Sequence, residues 1–446
     1  MRIDAGILPD SVRFFHEPDA FTEQALYHTP HVGVYHCDSQ YNFSRAGETC
    51  LDICQAIFVD QGTLTVRYRE QEITASPGML ILLDCREPHE YFAVSPEIRF
   101  RWFHIVGASS FAYIAHIIQS HGFVIQTAKN AADWHDVVSD PAVDLVDVAT
   151  PNCMHYEMAK AALEHGKHVF CEKPLSLSAQ QSSELAQLAK EKGVVNYCGF
   201  SNIMNPANQY VAELVKSGRL GKIMRVHATY DQDMLLDPKI PLAWRHINKL
   251  AGSGALGDLC SHLLSVSQMI LGDMEAVTAV QSIVIPERPV KAGSSEMGTV
   301  ENDDVISFLV KYKNGAIGDF SSSRVATGRK NYFYYEIQGT EGSVVYDLER
   351  MCEVQVYFKS DADVDRGRDC GFRTVLLNPE HKGFKWFQPA GGIAIAFDDM
   401  KTLQAHTLMQ ALHGGEYICN FAMGAKVDGV IDAVLKSVKS GQWEQC

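Results

Sequence analysis

Residues 142–200 constrain the fold of this chain most, because short apolar runs of strand type alternate there with stretches of helical spacing. The strand patterns occupy residues 143–149, 169–171 and 194–198, and the helix patterns occupy residues 154–165 and 178–192. Ser178 opens the second helix with Gln181 three positions on, which forms a capping box, and Gly193 ends it. Strands joined by helices of this length predict right-handed βαβ units around a parallel sheet.

The residues before this segment do not supply the beginning of such a sheet. Parallel sheets that hold a dinucleotide begin with a strand, a glycine-rich turn and a helix, and the phosphates lie on that turn. The spacing Gly-x-Gly-x-x-Gly occurs at Gly252, Gly254 and Gly257, but it follows a helical or loop stretch at 244–250 instead of a strand. The sequence therefore predicts only the second half of a nucleotide-binding α/β domain.

The two flanking regions are rich in strand patterns. Residues 31–107 carry short strands separated by Gly and Pro turns, which predicts a small β-barrel. From residue 222 onward, long strands predict an open, mainly antiparallel sheet with helices, and a last helix covers 427–440. The predicted fold class is a multidomain α/β and α+β protein: an N-terminal β-barrel, a truncated parallel α/β unit and a C-terminal open sheet. We place these three domains at residues 1–125, 126–200 and 201–446.

Composition and charge argue against several classes of function. The 446 residues carry 39 Lys and Arg against 54 Asp and Glu, a net charge of −15 without a basic block, which disfavours binding to nucleic acid or to an anionic membrane. No apolar run is long enough to span a bilayer, and the first ten residues do not resemble a signal peptide. The 12 cysteines are scattered without a Cys-x-x-Cys pair, which favours reduced thiols over disulfides or zinc ligands. We therefore expect a cytoplasmic protein without a bound metal.

Lys173 is the first candidate for chemistry, in Glu172-Lys173-Pro174 directly after a buried strand. A lysine at the carboxyl end of a parallel strand points into the crevice where ligands bind in such sheets. It can there accept a proton or orient a hydroxyl group. The alternative is a solvated loop lysine beside a glutamate.

Asp258 and His262 form the second candidate, at the start of an apolar helix. A spacing of four places both on one helix face, so the carboxylate can orient the imidazole and favour its protonated form. Such a pair can serve as general acid and base for a hydroxyl proton. The alternative is an acid at a helix N-terminus and a histidine in the core.

The third candidate follows the first strand of the parallel unit, at Thr150-Pro151-Asn152 with His155. Asn152 is expected to cap the helix that begins there. Contact with a ribose is compatible with that role.

Together these motifs resemble one family over about residues 130–446. The resemblance rests on Thr150-Pro-Asn152, Glu172-Lys-Pro174, Asn205-Pro206, Trp244-Arg245, Gly254-Ala-Leu-Gly-Asp258 with His262, and Gly339-Thr-Glu-Gly342. These are similar to motifs of the Gfo/Idh/MocA oxidoreductases, which act on a secondary alcohol of a sugar or cyclitol with NAD or NADP. The N-terminal half of that family's Rossmann domain, with its GxGxxG turn, is replaced here by the predicted barrel.

The resemblance implies a role for each motif. Lys173, Asp258 and His262 would be the catalytic group, with His262 or Lys173 taking the hydroxyl proton. Residues implied near the cofactor are Thr150, Pro151, Asn152, His155, Glu172, Lys173 and Pro174. Residues implied near the substrate are Tyr230, Asp237, Trp244 and Arg245. The cofactor would be NAD or NADP. Without the GxGxxG turn, three hydrogen bonds to the cofactor phosphates are lost, and together they are worth roughly 5–9 kcal/mol of binding free energy. That loss lowers the affinity on the order of a thousandfold or more.

Residues 14–125 resemble a second family. The motifs are Asp60-Gln-Gly62, Ser76-Pro-Gly78, Pro88-His-Glu-Tyr91 and Trp102-Phe-His104. They are similar to the cupin-like sugar-binding and dimerisation domain of AraC-type regulators, although no helix-turn-helix follows. The resemblance implies a small carbohydrate ligand and a homo-oligomer. A metal at His89 and His104 is disfavoured, because the closely spaced histidines and glutamate of metal-binding cupins are absent.

Three functions remain open from the sequence. The first is an oxidoreductase acting on a CH–OH group of a sugar, glycoside or cyclitol, with an NAD-dependent glycosidase that oxidises the sugar transiently as a variant. The second is a non-catalytic carbohydrate sensor with a degenerate oxidoreductase half, and the third is an accidental join without a joint function. Retention of Lys173, Asp258 and His262 favours the first, and the absent phosphate turn favours the others. We adopt the oxidoreductase as the working hypothesis.

Overall fold

The computed structural model describes residues 5–16, 28–107, 110–126, 133–363 and 370–446. The chain divides into two compact units, Met1–Ala132 and Asp133–Cys446. No helix within the described residues is long and apolar enough to cross a membrane.

The first unit consists of antiparallel strands and one described helix. The strands are β1 Val12–Phe15, β2 His31–Asp38, β3 Asn42–Arg45, β4 Cys54–Gln61, β5 Leu64–Tyr68, β6 Gln71–Ala75, β7 Met79–Asp84, β8 His89–Ala93, β9 Glu97–Ile105 and β10 Val124–Gln126; the helix is α1 Ser110–His121. In the described residues they form two open sheets, with the orders β1-β2-β9-β4-β7-β10 and β3-β8-β5-β6.

The small β-barrel predicted for this unit is not confirmed, because the described strands form two open sheets. Strand β9 buries every second residue from Ile98 to His104, as the alternation in its sequence predicts. A barrel and a pair of facing sheets both require this alternation, so the pattern alone does not distinguish between them. Helix α1 lies against β4 and β7 and buries Ile114 and Ile118.

The second unit begins with the βαβ units expected from the sequence. Its first elements are α2 Trp134–Ser139, β11 Leu145–Val148, α3 His155–Glu164, β12 His168–Cys171, α4 Ala179–Lys192, β13 Asn196–Cys198 and α5 Pro206–Lys216. Strands β11, β12 and β13 pair in parallel in that order, and β11 is the edge strand among the described residues. Ser178 Oγ accepts a hydrogen bond from Gln181 N (3.3 Å), and Gly193 ends α4 with φ 66°. Local capping signals thus set the bounds of α4.

A large mixed sheet follows. Its strands and the accompanying elements are β14 Ile223–Asp231, α6 Asn248–Ala251, α7 Ser261–Leu271, β15 Met274–Ser282, β16 Glu287–Pro289, β17 Met297–Thr299, β18 Val305–Tyr312, β19 Ile317–Ser323, β20 Tyr332–Gly339, β21 Gly342–Asp347, β22 Glu353–Phe358, β23 Arg373–Leu376, α8 Phe397–Leu412, α9 Phe421–Ser440 and β24 Glu444–Gln445. The sheet order is β23-β22-β21-β20-β14-β19-β18-β15-β24 in the described residues, with β14 and β19 parallel and the other pairs antiparallel.

One hydrophobic core joins the small parallel sheet to the large one. Val148 of β11, Leu264 of α7 and Phe320 of β19 belong to the same buried cluster. Helix α9 packs against both α4 and β15. The carboxyl ends of β11 and β12 therefore lie in a rigid setting, beside the start of α7.

Candidate active site

A cavity of about 350 Å³ opens where β11 and β12 end. Its lining residues are Ala149, Thr150, Pro151, Asn152, His155, Glu172, Lys173, Pro174, Trp244, Arg245, Ala251, Ser253, Asp258 and Arg324. Residues 149–152 directly follow β11, and residues 172–174 directly follow β12. This is the position at which open parallel sheets bind ligands.

Lys173 and Asp258 form an ion pair in the cavity wall. Lys173 Nζ donates to Asp258 Oδ1 (3.1 Å) and to the Asp258 backbone oxygen (2.5 Å), and the two side chains are 14% and 21% exposed. Arg245 Nε lies 3.7 Å from Asp258 Oδ2. Although burial alone would raise the pKa of the Asp258 carboxyl, the charges of Lys173, Arg245 and Arg324 lower it below its ordinary value. Asp258 is therefore a carboxylate, and it holds Lys173 in place.

Asp258 lies in a π-helical turn, Leu256–Cys260, which continues directly into α7. Close packing explains two of the glycines that precede Asp258. A Cβ at Gly254 would lie 1.8 Å from the Asp303 backbone oxygen, and one at Gly257 would lie 2.5 Å from Ser253 Oγ. Gly254 and Gly257 of the Gly-x-Gly-x-x-Gly string are thus required by packing at this helix start. The string does not follow a strand here, in agreement with the sequence analysis.

His262 is neutral, which corrects the expectation that Asp258 favours its protonated form. Burial lowers the pKa of His262 well below its ordinary value, the charge of Lys173 lowers it further, and the opposing effect of Asp258 is smaller. The ring lies beside Phe200 and Tyr230, with centroids 6.5 and 6.1 Å apart. Its Nδ1 is buried without a hydrogen-bond partner among the described residues. Asp258 is bound by Lys173 instead. His262 is not among the residues that line this cavity, and the residue is half-buried.

All seven residues predicted beside a cofactor line the cavity. Two of them also tie its loops together. The ring nitrogens of His155 lie 2.8 Å from the Pro174 oxygen and 2.9 Å from the Thr150 oxygen. Asn152 Nδ2 donates to the Ala251 oxygen (2.9 Å), so Asn152 does not cap the helix as predicted; it begins a short 3₁₀ turn that precedes α3.

The residues predicted beside a substrate divide into two pairs. Trp244 and Arg245 line the cavity, and the Arg245 guanidinium lies 4.3 Å from the centroid of the Trp244 ring. Tyr230 is buried behind the wall, where its hydroxyl donates to Asn331 Oδ1 (2.7 Å). Asp237 is exposed, and its carboxylate accepts from Lys239 N (2.9 Å). The structure does not bring Tyr230 or Asp237 to the cavity surface, because Tyr230 is buried in the core and Asp237 lies in an exposed turn.

Sequence reasoning missed Arg324 and Ser253 in the cavity lining. Arg324 directly follows β19, is fully buried, and donates through Nη2 to the Asp303 oxygen (3.0 Å). An arginine at a strand end is usually exposed, so no local pattern distinguishes this one. Among the described residues, no group of three or more His, Cys, Asp or Glu side chains is placed to hold a metal ion.

Three family models match the chain. The first, an oxidoreductase family with an NAD-binding Rossmann fold, matches residues 111–200, and the second, the GFO/IDH/MocA C-terminal domain, matches residues 208–345. The third, an AraC-like ligand-binding domain, matches residues 31–145. The first and third models overlap over residues 111–145, which include most of α1.

Individual relatives agree with these models. Levoglucosan dehydrogenase of Pseudarthrobacter phenanthrenivorans is 37% identical over 327 residues, covering 71% of this chain and 83% of the relative. Myo-inositol 2-dehydrogenase of Thermotoga maritima is 28% identical over 246 residues, covering 54% of this chain and 66% of the relative. A solved structure of levoglucosan dehydrogenase with NADH and levoglucosan superposes with a TM-score of 0.67 at 37% identity, covering 74% of this chain and 87% of that one.

The residues of the cavity fit the nicotinamide end of NAD or NADP. The lining is polar, and Asp258 Oδ2 and His262 Nδ1 are buried atoms without hydrogen-bond partners in the described part of the chain. Thr150, Asn152 and Lys173 would hold the nicotinamide and its ribose. No strand with a glycine-rich turn precedes β11 in the described residues of the second unit, so the phosphates have no equivalent cradle there.

The levoglucosan dehydrogenase match alone spans most of both chains. The two oxidoreductase models match consecutive parts of the second unit, in the order in which the motifs occur. This chain belongs to the Gfo/Idh/MocA family of NAD-dependent oxidoreductases.

Proposed function

We propose that this protein interconverts a secondary alcohol of a small carbohydrate and the corresponding ketone with NAD or NADP, and that Lys173, Asp258 and His262 are its catalytic group. The observation that carries the proposal is the Lys173–Asp258 ion pair in the wall of a cavity lined also by Thr150 and Asn152. A charged pair at the end of parallel strands, next to an unpartnered neutral imidazole, suits proton transfer to and from a hydroxyl group.

The bound nicotinamide supplies the hydride acceptor or donor. During oxidation, Lys173 donates a hydrogen bond to the substrate oxygen and stabilises the negative charge that develops there. His262, which burial keeps neutral, takes the hydroxyl proton as the C–H hydrogen leaves as hydride, and the alcohol becomes a ketone. In reduction His262 returns that proton. Asp258 keeps the Lys173 ammonium group in position throughout.

We propose an anhydrohexose or a similar pyranose as the substrate. A cavity of about 350 Å³ with a polar lining suits one sugar ring beside a nicotinamide. The relative of known activity that shares 37% identity acts, by its name, on levoglucosan, an anhydrosugar. Trp244 offers an aromatic face and Arg245 a hydrogen-bonding cation on the substrate side.

The test is turnover of a panel of anhydrosugars, pyranosides and cyclitols with NAD and NADP. Lys173→Met should lower kcat by about three orders of magnitude, since it removes both the ammonium group and its ion pair. Lys192→Met is the control, because Lys192 is exposed and donates to the Glu164 oxygen at the C-terminal end of α3. Turnover by Lys173→Met at the control's rate would refute the assigned role. A wild-type protein that turns over none of the panel with either cofactor would refute the proposed function.

A cavity in the first unit favours a second function, the binding of a small hydroxylated ligand there. This cavity measures about 140 Å³, and its lining includes the aromatic rings of Tyr35, Phe43, Tyr91 and Trp102 together with Arg45. Trp102 Nε1 is buried without a hydrogen-bond partner among the described residues. Aromatic faces with a few polar groups are typical of sites that bind small molecules. A set of monosaccharides should raise the melting temperature of the wild type and not of Trp102→Phe; equal shifts in both would contradict this site.

We further propose that the protein is a homo-oligomer through the outer face of the large sheet. Val280, Leu309 and Ile317 on β15, β18 and β19 are 70%, 51% and 58% exposed. Leu309 pairs in register with Thr278 and with Asp319, so these strands form one continuous surface. Exposed apolar groups that cluster in this way typically mark an interface. Leu309→Glu should lower the molar mass measured by light scattering to that of a monomer; an unchanged mass, or a monomeric wild type, would refute this assembly.

A further inference from the structure

Asp303 does not line the cavity, yet it binds the start of the helix that carries Asp258. Its Oδ1 accepts from Gly254 N (2.6 Å) and its Oδ2 from Leu256 N (2.9 Å), and its backbone oxygen accepts from Ala255 N (3.0 Å). The first amides of a helix have no partner within the helix. Three successive N–H groups therefore depend on one residue from a distant part of the sequence.

The contact between Asp303 and residues 254–256 is buried and closely packed. Asp303 is 2% exposed, and burial raises the pKa of its carboxyl while the Leu256 and Gly254 amides and Arg324 oppose that shift. Because a side chain at Gly254 would collide with the Asp303 oxygen, the two backbones touch directly. Any displacement of Asp303 thus moves the helix start with it.

The residues around Asp303 bind the other side of the cavity. Asn302 Nδ2 donates to the Arg245 oxygen (3.0 Å), and Glu301 Oε2 accepts from Asn248 N (2.7 Å). The Oδ2 of Asp304 accepts from Val284 N (2.8 Å) and Ile285 N (2.9 Å), and its Oδ1 lies 3.9 Å from Arg324 Nη2. The segment 301–303 therefore anchors both Arg245 and the helix that carries Asp258.

We propose that Asp303 is a positioning residue for the reaction and that it acts through Asp258; the proposal rests on the function proposed above. The Nζ–Oδ1 contact between Lys173 and Asp258 measures 3.1 Å. Hydrogen bonds are lost beyond about 3.5 Å, so a shift of roughly half an ångström in the helix start is enough to break it. Asp303 sets that distance by fixing the amides of residues 254–256.

The test is a double-mutant cycle with Asp303→Asn and Asp258→Asn. The side-chain amide introduced by Asp303→Asn keeps one acceptor oxygen and turns an NH₂ group toward a backbone N–H, so one of the two carboxylate bonds is lost. Asp303→Asn should lower kcat about tenfold or more while KM changes by less than about threefold. In the Asp258→Asn background it should cost nothing further. A full additional loss in that background would show that Asp303 acts independently of Asp258 and would overturn the proposal.

Asp304→Asn is the matched control for hydrogen exchange, since Asp304 is equally buried and also accepts two backbone amides, but at residues 284–285. Hydrogen exchange supplies a readout that needs no substrate: the amides of 254–256 should exchange faster in Asp303→Asn and unchanged in Asp304→Asn. Unchanged exchange in Asp303→Asn would overturn the proposal. If Asp258→Asn turns over like wild type, the proposed catalytic group fails instead, whatever Asp303 does.

Discussion

Asp428 is expected to make the stability of the second unit depend on pH. It lies on α9, is 2% exposed, and its Oδ2 accepts from Ser182 Oγ (2.5 Å) and Ser176 N (3.2 Å). Burial raises the pKa of its carboxyl from 3.8 to about 7, and these hydrogen bonds reduce the shift. Asp428 thereby fastens the segment that follows Lys173 and Pro174 to α9.

A shift of about three pKa units corresponds to about 4 kcal/mol of unfolding free energy, at 1.36 kcal/mol for each unit. Because the folded-state pKa is raised, the contribution is fully present below about pH 4 and is lost as the pH rises through about 7. Asp428→Asn keeps an acceptor oxygen and removes the titration. The variant should therefore gain stability relative to wild type by about 4 kcal/mol between pH 4 and pH 8.

Urea denaturation of both proteins at several pH values measures this difference, since the titration of every other group cancels between them. A stability difference that stays constant across the range would refute the reasoning, because it would show that Asp428 carries the same charge in the folded and unfolded chain. A difference that changes with the opposite sign would show that the Ser176 and Ser182 bonds outweigh burial.

Three further outcomes are expected. Gly254→Ala should destabilise the second unit by about 3 kcal/mol, because the added Cβ would collide with the Asp303 oxygen. Gly429→Ala, in open space on α9, should stabilise the unit by about 0.5–1 kcal/mol. Thermal unfolding of both variants checks the sign of each change. His262→Asn should lower kcat about 100-fold or more with unchanged cofactor affinity by calorimetry, and wild-type turnover would remove His262 from the mechanism. Asp237→Ala should leave KM for the sugar unchanged while Trp244→Ala raises it severalfold; the reverse order would restore Asp237 to the substrate site.

Local patterns predicted the parallel unit well. Helix α5, Pro206–Lys216, begins at the Asn205-Pro206 motif. Asn205 caps its start and Pro206 fits its first turn, so the signals lie within the helix itself. The same holds for α4, which a serine opens and a glycine closes.

Elements defined by distant contacts were predicted less well. Helix α8, Phe397–Leu412, was not predicted, and α9 begins at Phe421 instead of residue 427. The first unit forms two sheets where a barrel was predicted, because strand alternation fixes which face is buried and leaves the closure of the sheet open.

In the candidate site, too, local patterns predicted some features and distant contacts determined the others. Lys173 and Asp258 lie together, as the family resemblance implied. The sequence predicted that Asp258 favours the protonated form of His262, and this was wrong. Burial beside Phe200 and Tyr230 lowers the pKa of His262 more than the neighbouring carboxylate raises it. Sequence spacing could not identify Asp303, because its role depends on hydrogen bonds from three backbone amides some 50 residues away in the sequence.

The central claim is that Lys173, held by Asp258, serves a nicotinamide-dependent oxidation of a sugar alcohol. The most direct measurement follows the absorbance of reduced nicotinamide after the protein is mixed with levoglucosan and NAD or NADP, for wild type and for Asp258→Asn. The account predicts that wild type forms reduced cofactor and that Asp258→Asn forms it at least about 100-fold more slowly. Equal rates in the two proteins would contradict it.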